Sequence, residues 1–243
     1  MMPEAPFDPL QHMRGEDNAE TGEAPPESQP PPRSRTTARI QQRGATDPFF
    51  GFIIAAGLSI GLTPLLPESV EFRYALAWGT LAGVSVLSWL LGNMERISQE
   101  NPDDIGWGIL FGVLLGIPFL VFLSEHVLAP TADRLFPEMS PGSLLAFLVF
   151  VMPLAETLFF RGLLQGQLAF WIVGLLATLW NIVLFFPVMW EAVTLLPAVS
   201  VVIAVLLLMM NWLYVYVRMR NGLAAAWMCQ IVANLIIFYV PSL

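Results

Sequence analysis

Lysine is missing from this 243-residue chain, charge is scarce at 12% of residues, and histidine and cysteine are nearly absent, with two and one respectively. The low charge, beside 56% hydrophobic residues, excludes an ordinary soluble surface. The lone Cys229 excludes an intramolecular disulfide and a cysteine metal cluster, and reads as a small apolar filler. The two histidines, His12 and His126, both precede the charged stretch that begins at Glu156. Any chemistry beyond that point works without imidazole. Phosphate-cradling glycine loops, zinc-ligand spacings and basic patches with interleaved aromatics are also missing, so no nucleic-acid partner and no cofactor are expected.

What the chain does have is apolar runs of about 20 residues, long enough to cross a bilayer as helices and too continuous for barrel strands. They predict an all-α polytopic transmembrane bundle of about seven spans over residues 49–243. The runs lie near 49–66, 74–92, 106–123, 144–160, 168–186, 197–217 and 223–240. An eighth short segment fits between Pro187 and Pro197, around Glu191. Residues 1–48, rich in Pro, Glu, Gln and Arg, form a separate block expected to be a disordered cytoplasmic tail.

All eleven basic residues are arginine, and their placement orients the chain. Arg33, Arg35, Arg39, Arg43, Arg96, Arg161, Arg218 and Arg220 fall on one side of the seven runs, and only Arg73 and Arg134 on the other. The bias predicts a cytoplasmic N-terminus in a cell membrane. Glycines four apart, Gly57/Gly61, Gly79/Gly83 and Gly108/Gly112/Gly116, predict close helix packing, within the bundle or across a dimer face.

Glu156 and Arg161 place a carboxylate and a guanidinium inside the fourth run, and charge at that depth usually marks a site. On an α-helix the five steps between them rotate about 140° past a full turn. Arg161 is therefore expected to snorkel or bind a loop. Gln230 and Asn234, four apart in the last run, share a face and want a polar partner, with Glu156 the candidate. Glu156→Gln is expected to preserve such a network, and Glu156→Leu to destabilise it.

The run from Glu156 through Thr157, Phe160, Arg161, Gly162 and Leu163 to Gln165, the later stretch 212–223 and the final polar run resemble the CAAX protease and bacteriocin-processing (CPBP, or ABI) family. These membrane proteases carry the patterns EExxxR, FxxxH and HxxxN, and the resemblance covers roughly residues 140–240. It implies matched motif positions at Glu156, Arg161 and Asn234. It implies substituted ones at Thr157 for the second glutamate, and at Trp190 and Gln230 for the two histidines. Paired carboxylates suit a general base and the histidines suit proton handling. Their replacement predicts a catalytically degenerate binding or scaffold member. An active atypical endopeptidase would instead use Glu156 to activate water, with Gln230 and Asn234 holding the oxyanion. An accessory subunit of a larger complex is the third reading. The implied partners are the bilayer and a membrane protein or membrane-delivered peptide, with no metal at a site that offers one carboxylate.

Overall fold

The computed structural model describes residues 48–66, 69–91, 102–137 and 139–243. The expected disordered tail and the Arg96 loop lie outside them. Helices account for the regular structure, with no strand among the described residues. They are α1 (Pro48–Leu65), α2 (Val70–Leu90), α3 (Asp104–Leu123), α4 (Ala129–Leu135), α5 (Pro141–Ala146), α6 (Met152–Glu156), α7 (Phe170–Phe185), α8 (Trp190–Leu195) and α9 (Pro197–Asn234). Wider π-helical turns join several of them: Ser124–Leu128 links α3 to α4, Phe147–Val151 links α5 to α6, Thr157–Leu164 continues α6, and Leu235–Tyr239 continues α9.

Local sequence explains the punctuation. Ser140 caps α5 by accepting the Ser143 N–H at 3.1 Å, and Pro141 follows where a missing N–H costs nothing. Pro153 cannot donate and would crowd the Val149 carbonyl in a regular α-helix, and the π turn Phe147–Val151 widens the helix there. Gly222 has φ 92 and ψ 175, a conformation essentially reserved for glycine, and it divides α9.

The division is a reversal. Asn211 and Gln230 stand nineteen residues apart, which is about 28 Å along a straight helix. Yet both accept hydrogen bonds from the one guanidinium of Arg161, each at 3.0 Å. The two halves of α9 therefore form a hairpin folded at Gly222.

α3 lies parallel to the second arm of that hairpin. A side chain added at Gly108 would strike the Ala225 carbonyl, at Gly112 the Cys229 carbonyl and Val232, and at Gly116 Ile236. This glycine stripe serves packing within the bundle. Among the described residues, a side chain added at Gly57, Gly61, Gly79 or Gly83 would begin with nothing within 4 Å.

Three continuous helical stretches are long and apolar enough to cross a membrane: Asp104–Leu135, Pro141–Leu164 and Pro197–Ser242. The apolar helices Phe49–Leu65 and Phe170–Phe185 are shorter. The expectation of seven separate spans is thus met only in part. The sixth and seventh runs share one 46-residue stretch, because the glycine turn between them needs no loop. The helix of the second run, α2, starts before it and takes in Glu71 and Arg73, which hold its hydropathy down.

Candidate functional site

Five side chains from four helical segments close a circuit of hydrogen bonds in the core. Each arrives there because its helix buries the face that carries it. On α7 the buried positions Val173, Ala177, Trp180, Asn181 and Leu184 recur at helical spacing, so Asn181 is carried inward with them. Asn211 lies among Leu207, Met210 and Tyr214 on the first hairpin arm, and Gln230 among Ala226, Cys229 and Ala233 on the second.

Glu156 and Arg161 stand at opposite ends of the circuit, and each is only 1% exposed. Gln230 Nε2 donates to Glu156 Oε2 at 2.7 Å, and Arg161 Nη1 donates to Gln230 Oε1 at 3.0 Å. On the other side Arg161 Nη2 donates to Asn211 Oδ1 at 3.0 Å, Asn211 Nδ2 to Asn181 Oδ1 at 2.8 Å, and Asn181 Nδ2 to Glu156 Oε1 at 2.8 Å. The indoles of Trp78 and Trp180 each add a bond to Glu156 Oε1 at 3.2 Å. Thr157 donates to Gln230 Oε1 at 3.2 Å.

The polarity of this circuit is fixed at both ends, because a guanidinium only donates and a carboxylate only accepts. Every amide between them turns its oxygen toward Arg161 and its nitrogen toward Glu156. Two relays run in the same direction, one through Gln230 and one through Asn211 and Asn181. The carboxylate and the guanidinium are thereby joined through amides, with each oxygen of the carboxylate engaged.

Arg161 is buried among helices, where snorkelling or binding to a loop was expected. The helix is π-wound from Thr157 to Leu164, with the Gln165 N–H donating to the Phe160 carbonyl. A π turn takes more residues than an α turn, so five steps bring Arg161 back much nearer the face of Glu156. The guanidinium also sits over the Tyr214 ring, with its Cζ 5.0 Å from the centroid. Arg218 Nε donates to the Arg161 carbonyl at 3.3 Å.

The other sequence positions divide. Gln230 belongs to the circuit, and Thr157 donates to it from outside the ring. Asn234 lies outside it, with Nδ2 3.6 Å from Met152 Sδ and Oδ1 without a partner among the described residues. Trp190 begins the short helix α8 and is 64% exposed, so it takes no part. Sequence reasoning missed Trp78, Trp180, Asn181, Asn211 and Tyr214. The asparagines carry the same signal as Gln230, an amide inside an apolar run. The tryptophans carry none, because indole is equally at home in a core or at a membrane interface.

A carboxylate at position 157 would point an acceptor at the Gln230 oxygen, and threonine avoids that conflict by donating. Among the described residues no three histidine, cysteine or acidic side chains gather as a metal ion would need. Compared with known proteins, the chain matches no family model, no curated protein and no solved structure.

Proposed function

We propose that this is an integral membrane protein of the CAAX protease type whose hydrolytic site has become a structural lock, leaving a binding or scaffold role. The observation that carries the reading is the occupation of Glu156. Its two oxygens take four donors, from Trp78, Trp180, Asn181 and Gln230, and the residue is 1% exposed. A general base must come within hydrogen-bond reach of the water it activates. Here that approach is filled by indoles and amides. Fold alone does not confer activity, so the site decides.

Seven crossings with a cytoplasmic N-terminus are part of the same proposal. The contacts support alternation: Asp104 meets Asn221 near the Gly222 turn, whereas Tyr74 packs edge-to-face with Phe136 and Phe185 away from it. These pairs fall at opposite ends of the seven expected runs.

The test compares new N-termini among membrane proteins of cells carrying the wild-type chain, the Glu156→Ala form, or neither. The expected outcome is one identical set in all three. Cleavages present only with the wild type would overturn the degenerate reading and establish an endopeptidase that depends on Glu156.

A further inference from the structure

Three polar atoms that the circuit does not use belong to Arg161 and to two side chains tied to its surroundings. Arg161 Nε, the Tyr214 hydroxyl and Gln165 Oε1 are buried without a hydrogen-bond partner among the described residues. Their side chains are held in one neighbourhood. Arg161 and Gln165 are four apart on one helical stretch, the guanidinium lies over the Tyr214 ring, and Gln165 Nε2 donates at 2.9 Å to the carbonyl of Val215, the residue next to Tyr214. Arg161 is 1% and Tyr214 2% exposed.

The chemistry of the three atoms selects the occupant. Arg161 Nε can only donate, Gln165 Oε1 can only accept, and the phenol does both. An anion would suit Arg161 and oppose Gln165, a cation would do the reverse, and an apolar group would satisfy none of them. Water accepts from the first, donates to the second and bonds the third either way, and buried water typically makes about three such bonds to groups otherwise unsatisfied. We propose that Arg161, Tyr214 and Gln165 form a hydration site for one or two ordered waters on the free edge of the guanidinium. Half-buried Arg218, which holds the Arg161 carbonyl, stands between this site and the Gly222 end of the bundle.

The inference deepens the proposed function by naming where water meets the site. It meets the cationic end of the circuit, bound through its oxygen by a donor. Glu156, at the other end, is occupied by protein groups.

X-ray radiolytic footprinting in lipid nanodiscs tests it, because radicals formed from bound water label the side chains that hold it. Tyr214, though buried, should label at a rate close to that of Tyr216, which is 38% exposed. Fully buried Trp180 should stay silent. Gln165→Leu should reduce Tyr214 labelling to the Trp180 level while Tyr216, reporting the intact fold, is unchanged. Gln165→Met serves as a second variant if the first disturbs Tyr216. Wild-type Tyr214 labelling no faster than Trp180, or labelling unaffected by loss of the Gln165 carbonyl, would overturn the proposal. Labelling is independent of the N-terminal comparison, so either reading can fail alone.

Discussion

Glu156 can only accept and Arg161 can only donate, and that asymmetry governs what substitution does at either residue. An amide at position 156 would set its own N–H groups against donors from Gln230 or from Asn181 and the indoles. No reversal of the intervening amides relieves the clash, because each is pinned by Arg161 at the far end. Glu156→Gln should therefore lower stability in detergent by about 1–3 kcal/mol, contrary to the expectation from sequence that it preserves the network. Glu156→Leu, which removes the counter-charge and leaves all four buried donors without an acceptor, should cost about 3–5 kcal/mol. Denaturant titration of both variants checks this, and a Glu156→Gln protein as stable as the wild type would refute the fixed polarity. The sequence made part of this site legible. Glu156, Arg161 and Gln230 stand out because charge and amide are rare in apolar runs. Asn181 and Asn211 could have been chosen by the same rule, and the depth of Arg161 could not, because it depends on a π-wound turn that hydrophobic spacing does not announce.

Helix packing separates two sets of glycines that look alike in sequence. Gly112 faces the Cys229 carbonyl and Val232, each 2.8 Å from where a side chain would begin, whereas a side chain at Gly79 would meet none of the described residues within 4 Å. Gly112→Leu should push α3 off the second hairpin arm and lower stability by about 1–3 kcal/mol or prevent folding, while Gly79→Leu leaves the monomer unchanged. Thermal unfolding of the two variants side by side decides the point. Equal loss in both would mean that Gly79 is also an internal contact. The spacing of four predicts that such glycines pack closely and does not say against what. Likewise, composition places Gly222 between two apolar runs, and only the backbone conformation turns them into a hairpin joined by a single residue.

For the molecule as a whole, the assignment of ends can be read in cells with an impermeant maleimide. In a Cys229→Ala background, cysteines at Glu125 and Glu191 should label from outside, and one at Arg220 only after permeabilisation. Any other pattern would remove the seven-crossing topology or its orientation. The circuit also has a consequence for biosynthesis. Arg161 enters the membrane long before its partners exist, since Asn211 and Gln230 follow 50 and 69 residues later. At about 5–20 residues per second, the ribosome takes roughly 3–14 s to make those 69 residues. During that interval the nascent chain carries an unpaired charge couple that the insertion machinery or lipid headgroups must shelter. The last arm of the hairpin is thus the step that seals the bundle, and a chain interrupted before Gln230 presents cellular quality control with a mark that a completed one conceals.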